Sequence, residues 1–193
     1  MKELEDYAKE NSVPIMQKDG IEYLCKFIKE NNIKSILEIG AAIGYSSIMM
    51  ASVNDNIKVT TIEKDKDRYE IAVSNINKYH LDSRINIIYG DACDIEVSDK
   101  YDLIFIDAAK GKNTLFFEKF KNNLNKDGVI ITDNLSFHGL VEDPLLIKTK
   151  NQRGIVNKIK SYIDFLDNNK EFDTKYISVG DKISISKRKC DNE

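Results

Sequence analysis

The stretch Tyr101-Asp-Leu-Ile-Phe-Ile-Asp107 places a run of apolar residues directly before an aspartate, and Gly128-Val-Ile-Ile-Thr-Asp133-Asn134 repeats the arrangement. Short apolar runs of this kind are typical of strands that are buried on both faces of a parallel sheet. Neighbouring strands in such a sheet lie about 4.8 Å apart. If the two runs are neighbours, Asp107, Asp133 and Asn134 meet at one edge of the sheet.

These three side chains offer two carboxylates and one amide oxygen. Oxygen donors of this type suit a hard cation such as Mg²⁺, which keeps water and substrate in its remaining positions. The pattern therefore predicts a metal-assisted enzyme. The alternative for Asp133 and Asn134 is a simple strand-end turn, because both residue types favour turns.

Strand and helix patterns alternate along most of the chain. Apolar runs predict strands at 34–39, 57–62, 85–89, 101–106 and 129–132, and helical spacing predicts helices at 3–11, 18–31, 45–53, 66–79, 114–124 and 152–168. Alternation of this kind predicts an α/β fold with a parallel sheet covered on both faces. Two further strands, 172–178 and 182–186, flank the turn Val179-Gly180-Asp181 and predict an antiparallel hairpin at the sheet edge.

The length of 193 residues predicts one domain, 1–193, with a core of ordinary size. Within it, we expect the helices of 1–31 to form a rim for substrate and cofactor, and 187–193 to be a flexible tail.

Charge and composition exclude several classes of protein. The net charge of −3 argues against a basic nucleic-acid binder, so any RNA contact must use a local patch. No apolar run reaches the length of a membrane span. Cys25, Cys93 and Cys190 lack metal-ligand spacing, which predicts reduced thiols in a cytoplasmic protein.

A glycine-rich turn follows the first predicted strand, in the stretch Glu38-Ile-Gly40-Ala-Ala-Ile-Gly44-Tyr-Ser46. Gly40 and Gly44 allow the backbone to turn tightly and to approach a ligand. The start of the next helix offers free N–H groups, and Ser46 adds a hydroxyl. A tight connection without a ligand is the alternative.

Two acidic positions favour a nucleoside ligand at this turn. Glu63 ends the second strand, where a carboxylate commonly accepts hydrogen bonds from a ribose diol. Gly90-Asp91-Ala92 ends the third strand and adds a carboxylate suited to an adenine amino group, although Gly-Asp is also a common turn pair. The third glycine of a dinucleotide fingerprint is missing, which favours S-adenosylmethionine over NAD.

The chain resembles the class I methyltransferases, and more narrowly the metal-dependent O-methyltransferases that include catechol and caffeoyl-CoA methyltransferases. The resemblance is carried by Glu38-x-Gly40-x-x-x-Gly44-Tyr45-Ser46, Glu63, Gly90-Asp91-Ala92, Asp107-Ala-Ala-Lys110 and Asp133-Asn134. It is strongest to the bacterial branch that methylates 5-hydroxyuridine in the tRNA anticodon loop. That branch has stretches similar to Pro14-Ile15-Met16, Phe105–Gly111, Thr132–Asn134 through Gly139–Val141, and Val179-Gly180-Asp181.

The resemblance implies a Rossmann-like, seven-stranded sheet in the order 3-2-1-4-5-7-6, with strand 7 antiparallel. It also implies a role for each motif residue. Lys110 matches the catalytic lysine, and Asp107 joins it in catalysis. The cofactor S-adenosylmethionine is expected to contact Met16, Glu38, Gly40, Gly44, Ser46, Glu63, Asp91, Ala92 and Asp107. Mg²⁺ or another divalent cation is expected on Asp107, Asp133 and Asn134. Because the chain begins late compared with typical relatives, we expect it to lack their leading helix, a departure that bears on the expected substrate rim and dimer contacts.

The expected reaction transfers a methyl group to a hydroxyl that a metal holds beside a second oxygen. In 5-hydroxyuridine the 5-hydroxyl lies beside the 4-carbonyl, so this nucleoside fits, but the chemistry alone does not select it. The family resemblance implies tRNA as the partner and 5-methoxyuridine as the product. A small catechol-like phenol satisfies the same chemistry. The basic residues of 148–160 (Lys148, Lys150, Arg153, Lys158 and Lys160) favour phosphate contacts, or form an ordinary solvated helix face.

Functions of two different classes are disfavoured by particular residues. An NAD-dependent oxidoreductase is disfavoured by the missing glycine, and a non-catalytic RNA-binding module by the complete set of Asp107, Lys110, Asp133 and Asn134. His138 lies near the metal motif, where it contacts substrate or has no role. We expect a homodimer that does not associate with membranes.

Overall fold

The protein forms a single seven-stranded sheet flanked by helices, in a computed structural model that describes residues 1–189. The strands are β1 (Ser35–Ile39), β2 (Lys58–Glu63), β3 (Ile85–Tyr89), β4 (Tyr101–Ile106), β5 (Leu124–Thr132), β6 (Phe172–Ile177) and β7 (Ile183–Arg188). The helices are α1 (Lys2–Glu10), α2 (Lys18–Glu30), α3 (Tyr45–Ala51), α4 (Lys66–Lys78), α5 (Asn113–Phe120) and α6 (Lys150–Asp167).

The strand order is β3-β2-β1-β4-β5-β7-β6. The first five strands pair in parallel, and β7 runs antiparallel to both β5 and β6. The order 3-2-1-4-5-7-6 and the antiparallel strand 7 are therefore confirmed. This is the Rossmann-like methyltransferase fold.

Two apolar cores lie on opposite faces of the sheet, because successive strand residues point in opposite directions. Leu103 and Phe105 of β4 belong to one core and Ile104 to the other. Helices α1, α2, α3 and α4 cover the first core, and α5 and α6 cover the second. Both faces are thus buried, which explains why β4 and β5 read as continuous apolar runs. Among residues 1–189, no helix combines the length and the apolar character that crossing a membrane requires.

The end of each central strand is tied to its neighbour by a backbone hydrogen bond. Asp107 N donates to Ile39 O (3.0 Å), and Asp133 N donates to Ile106 O (3.1 Å). Gly40 N donates in the same way to Ile62 O (3.0 Å). The residues that follow β1, β4 and β5 therefore start at one level, along the carboxyl edge of the sheet.

The structure corrects the predicted boundary between α5 and β5. The helix predicted to Leu124 ends at Phe120, a 3-10 turn spans Lys121–Asn123, and β5 begins at Leu124 rather than at 129. Leu124 pairs with Tyr101, after which the register shifts so that Leu103 pairs with Val129. Tertiary pairing thus extends the strand through a polar stretch that resembles a turn in sequence.

The predicted hairpin is present, but the predicted tail begins too early. Lys187 pairs with Val129 of β5, and Arg188 pairs with Phe172 of β6. Lys189 N also donates to Glu171 O (2.9 Å). The rest of the predicted tail, residues 190–193, lies outside the described residues, as does Cys190.

Asp102 links the beginnings of β1, β4 and β5 at the opposite edge of the sheet. Its carboxylate accepts hydrogen bonds from Lys34 N (2.9 Å), Ser35 N (3.0 Å) and Asn125 Nδ2 (2.7 Å). Partial burial alone would raise the pKa of Asp102, but these hydrogen bonds outweigh it and hold the pKa below its usual range.

We expect Asp102→Ala to lower the free energy of unfolding by about 1–2 kcal/mol, because its backbone donors lose their acceptor. The lowered pKa means that the charged form stabilises the fold. The difference between wild type and variant should be complete above pH of about 4 and should shrink as the pH falls through the folded-state pKa. Urea unfolding across this pH range measures it. The exposed Asp127→Ala variant is the control, and an equal loss in both variants at every pH would contradict the assignment.

Candidate active site

A cavity of about 340 Å³ opens at the carboxyl edge of the sheet, where β1, β2, β3, β4 and β5 end. Most of the predicted site residues line it, although they are far apart in the sequence. These are Met16, Gly40, Ser46, Glu63, Asp91, Ala92, Asp107, Lys110 and Asn134. Glu38, Gly44 and Asp133 do not line the cavity, and each lies directly behind or beside a residue that does.

Gly40 allows the ends of β1 and β4 to approach each other. Its φ is +102°, and a Cβ atom there would lie 2.3 Å from the carbonyl oxygen of Asp107. Any side chain would therefore force these two strand ends apart. Glycine is therefore required at position 40 for two reasons: the turn itself, and the close approach of the Asp107 backbone. Gly44 has a φ of +83° at the start of α3 and serves the turn itself.

Glu38 supports the glycine-rich turn from inside the protein and does not line the cavity. This corrects the expectation that Glu38 contacts the cofactor. It is fully buried, and its carboxylate accepts hydrogen bonds from Ser46 Oγ (2.5 Å), Thr61 Oγ1 (2.6 Å) and Ser47 Oγ. Burial raises the pKa of Glu38 to about 7, against the opposing effect of these hydroxyl donors. The Ser46 hydroxyl, expected to face an anion, instead donates to Glu38.

Glu63 is fixed in the cavity wall by backbone donors. Ala42 N donates to Oε2 (2.8 Å), and Asp65 N donates to Oε1 (2.9 Å). Each carboxylate oxygen can accept a second hydrogen bond. The arrangement can therefore receive the two hydroxyls of a ribose without moving the side chain. Ala42, at the place of a dinucleotide glycine, takes a left-handed φ of +47° to make its contact.

Asp91 lines the cavity, beside a lysine that was not predicted from the sequence. Its Oδ1 accepts from Cys93 N (2.9 Å), and its Oδ2 accepts from Lys112 Nζ (3.0 Å). The Cys93 donors, followed by the Lys112 ammonium, hold the pKa of Asp91 well below its usual range. Lys112 also lines the cavity. Its position follows from the 3-10 turn Lys110–Lys112, for which the sequence pattern carries no clear signal.

Asp107, Asp133 and Asn134 lie together at the carboxyl edge of the sheet. Asn134 Nδ2 lies 2.8 Å from Asp133 Oδ2 and 3.3 Å from Asp107 Oδ1. Asn134 has a φ of +64°, in the left-handed region that asparagine tolerates better than most residues. This backbone conformation turns its side chain back toward the two carboxylates.

The electrostatics of this group favour a positive ion. Burial, followed by the nearby Asp107 carboxylate, raises the pKa of Asp133 to about 7. Its Oδ1 atom is buried and has no hydrogen-bond partner among the described residues. A buried carboxylate oxygen without a partner is costly. A cation that bound both carboxylates would remove that cost.

Two carboxylates and one amide fit Mg²⁺, although they do not form a cluster of carboxylates alone. Within residues 1–189, no three His, Cys, Asp or Glu side chains form a potential metal-binding group, because the third donor here is an amide. Turning the Asn134 amide by 180° would place its oxygen where Nδ2 now lies, next to both carboxylates. Asp107, Asp133 and Asn134 then supply three oxygens, and the open cavity leaves room for others.

Lys110 lies within this group. Its Nζ is 3.1 Å from Asp107 Oδ1 and 3.5 Å from Asp133 O. The side chain is mostly buried, with 17% of its surface exposed. This placement differs from that of an ordinary surface lysine and puts an amine next to the expected metal ligands.

The segment Pro14–Met16 closes the cavity from the side of the first helices. All three residues line the cavity, and Met16 is buried. Tyr45, also in the lining, donates from its hydroxyl to Glu5 of α1 (2.9 Å) and so ties α1 to α3. Residues 14–16 of this region therefore form part of the cavity wall. Phe116 is buried and also lines the cavity, although its sequence context indicates only packing.

His138 and the basic residues lie outside the cavity lining. His138 is exposed, and its backbone N–H donates to Asp181 Oδ1. The basic side chains Lys148, Lys150, Arg153, Lys158 and Lys160 are all exposed. Lys158 Nζ would be only 3.1 Å from a Cβ atom on Gly111, so it reaches the 3-10 turn that carries Lys110 and Lys112. Lys158, one residue of this basic stretch, thus adjoins the turn that carries two cavity-lining lysines.

Comparison with solved structures agrees with this architecture. A "putative caffeoyl-CoA O-methyltransferase" from Staphylococcus aureus is 38% identical, with 97% of this chain and 91% of that chain covered and a TM-score of 0.93. An O-methyltransferase from Bacillus cereus, crystallised with SAH, is 25% identical, with 97% and 90% covered and a TM-score of 0.82.

Sequence comparison gives the same family. A "putative caffeoyl-CoA O-methyltransferase" from Arabidopsis thaliana is 29% identical over 192 residues, which cover 93% of this chain and 78% of the relative. A catechol O-methyltransferase from Niastella koreensis is 36% identical over 118 residues, which cover 57% of this chain and 53% of the relative. The model of the O-methyltransferase family matches residues 1–189. The chain therefore belongs to the O-methyltransferase family, of the caffeoyl-CoA and catechol O-methyltransferase type.

Proposed function

We propose that this protein transfers the methyl group of S-adenosylmethionine to a hydroxyl that lies beside a second oxygen, with a divalent cation held by Asp107, Asp133 and Asn134. One observation carries the proposal. The Asn134 amide lies within hydrogen-bond distance of both the Asp107 and the Asp133 carboxylate, beside a cavity whose wall holds Glu63 in a fixed position.

The cofactor is assigned to the half of the cavity formed by β1, β2 and β3. Glu63 accepts the ribose hydroxyls, and Asp91 with Ala92 borders the adenine. Asp107 faces the amino end of the cofactor, and Met16 closes over it. The family membership and the SAH-bound Bacillus cereus relative support this assignment.

The chemistry follows from the groups beside Asp107. When bound, Mg²⁺ supplies a positive charge that favours the ionised form of the acceptor hydroxyl. Lys110 is the proposed base, with Nζ as the atom that receives the hydroxyl proton. The bond between methyl carbon and sulfur breaks as the bond to the acceptor oxygen forms, and S-adenosylhomocysteine leaves. Asp107 connects the two halves because it borders both the cofactor and the metal site, which fixes the reactants relative to each other.

For the acceptor, we propose 5-hydroxyuridine in the tRNA anticodon loop. The supporting observation is the exposed basic face of α6, whose Lys158 reaches Gly111 at the mouth of the cavity. Such a face can contact the phosphates on either side of a base in the cavity. The homodimer and the cytoplasmic location stay predictions.

A small catechol-like phenol is the second candidate. The supporting observation is the set of relatives, among them the caffeoyl-CoA and catechol O-methyltransferases. Vicinal oxygens on a small ring would meet the same metal site without using the basic face.

We expect Asp133→Ala to abolish divalent-cation binding while leaving S-adenosylhomocysteine affinity within about two-fold, because Asp133 holds the ion and does not line the cavity. Titration calorimetry with Mn²⁺ and with S-adenosylhomocysteine measures both. The exposed Asp82→Ala variant is the control. Full methyl transfer by wild type in excess chelator, or loss of both ligands in Asp133→Ala, would contradict the division of roles.

We expect Lys110→Met to lower kcat by about 10²–10⁴-fold, because the variant lacks the amine that receives the proton. The affinity for S-adenosylhomocysteine should change little. Steady-state kinetics on the acceptor that proves active measures kcat, with the exposed Lys126→Met variant at the other end of the sheet as control. An unchanged kcat in Lys110→Met would remove Lys110 from the mechanism.

A variant that lacks three basic side chains distinguishes tRNA from a small phenol as the acceptor. Combined replacement of Lys150, Arg153 and Lys158 by alanine should raise KM for 5-hydroxyuridine-containing tRNA by about ten-fold and flatten its dependence on salt, because phosphate contacts are lost. Activity on free catechol should not change. Nucleoside mass spectrometry of tRNA from a deletion strain provides the direct check, and a normal level of 5-methoxyuridine-type nucleosides there would reject tRNA as the substrate.

A further inference from the structure

A short turn at the far end of the chain contacts both walls of the active site. We call it the clasp turn and define it as Val179–Lys182, between β6 and β7. Its base is rigid, because Ile177 pairs with Ile183 across the hairpin and Ser184 pairs with Thr132 of β5. The turn is therefore an extension of the sheet, and contacts made by it are fixed relative to Asp133 and Asn134.

The clasp turn contacts Asp19 at the start of α2, which follows the cavity-lining segment Pro14–Met16. We call this side of the cavity the cofactor wall. Gly180 N donates to Asp19 Oδ2 (3.0 Å), and Asp19 Oδ1 accepts from Gly20 N (3.0 Å). A Cβ atom on Gly180 would lie 3.2 Å from Gly20 Cα, and one on Gly20 would lie 3.2 Å from Met16 Cε. The two glycines thus let the turn pack directly against the segment that carries Met16.

Through Asp181, the clasp turn also contacts the loop that follows Asn134. We call the side of the cavity formed by Asp133, Asn134 and this loop the metal wall. This residue is 5% exposed, and its Oδ1 accepts a hydrogen bond of 2.6 Å from His138 N. Its carbonyl oxygen accepts from Ser136 N (2.9 Å). The loop that follows Asn134 is therefore bonded to the turn at two places.

This loop needs such support. Asn134, Phe137 and His138 all have left-handed φ values, of +64°, +50° and +57°. Residues with side chains rarely adopt this conformation, and it persists only where surrounding contacts enforce it. Loss of the Asp181 carboxylate would release this loop at His138, four residues after Asn134.

We propose that the clasp turn positions the two ligand-binding walls separately, with Asp19 positioning the cofactor wall and Asp181 positioning the metal wall. Both act through other residues and neither contacts a reacting atom. The inference rests on the proposed function, since it takes the two walls to bind S-adenosylmethionine and a divalent cation.

The test uses S-adenosylhomocysteine and Mn²⁺ as probes on the full-length protein, with binding measured by calorimetry. Asp19→Ala should weaken the binding of S-adenosylhomocysteine by about five- to ten-fold, the effect of one lost hydrogen bond of ordinary strength at an exposed position, and leave Mn²⁺ affinity within about two-fold. Asp181→Ala should do the reverse. The exposed Asp82→Ala variant should change neither affinity.

Asp181→Asn separates position from charge. Its amide oxygen can still accept from His138 N, so Mn²⁺ affinity should recover to within about two-fold of wild type. An affinity as low as that of Asp181→Ala would assign the effect to the lost charge and overturn the positioning role. Because Asp19 is exposed, its variant is expected to fold and decides the cofactor half even if Asp181→Ala does not fold.

The remaining outcomes also decide the matter. If either alanine variant weakens both ligands equally, or neither ligand changes, the clasp turn does not position the walls separately. If wild type itself binds neither probe, the proposed function fails and the clasp inference with it. The wild-type titrations therefore distinguish the two failures.

Discussion

The active site depends on the backbone hydrogen bonds that end β1, β4 and β5 at one level. Asp107 N donates to the last residue of β1, and Asp133 N donates to the last residue of β4. Two aspartates separated by 26 positions in the chain are thereby held side by side, before any side-chain contact is made. Gly40 belongs to the same constraint, because a side chain there would strike the carbonyl oxygen of Asp107. The rigid sheet edge, rather than a loop, sets the geometry.

This geometry places two carboxylates side by side, and one of them, Asp133, is buried. Asp133 is buried, has one oxygen without a partner among the described residues, and lies close enough to Asp107 for the second carboxylate to raise its pKa further. The Lys110 amine lies 3.1 Å from Asp107. A divalent cation would balance the charge of the two carboxylates and give the unpartnered Oδ1 atom of Asp133 a partner. The unfavourable burial of Asp133 is thus the physical reason for expecting a metal there.

Much of this could be predicted from the sequence because the relevant signals are local. Apolar runs that end in Asp107 and Asp133, with the glycine spacing after β1, predict the site edge, and the strand order follows from the family resemblance. Glu38 is misplaced by sequence reasoning because its motif position does not reveal which way the side chain points; in the fold it faces Ser46 and Thr61 in the interior. The contacts of Lys112 and Asp181 are not predicted, because their partners, Asp91 and His138, are distant in sequence. The start of β5 is misplaced because its pairing with Tyr101 is tertiary.

The central claim is that Asp107, Asp133 and Asn134 jointly bind one divalent ion beside the methyl donor. The most direct measurement is a crystal structure grown with Mn²⁺ and S-adenosylhomocysteine, with anomalous scattering used to locate the metal. We predict one manganese peak at coordination distance from all three side chains, next to the cofactor sulfur. A structure with the cofactor bound but no manganese at these residues, or with their side chains pointing apart, would contradict the account.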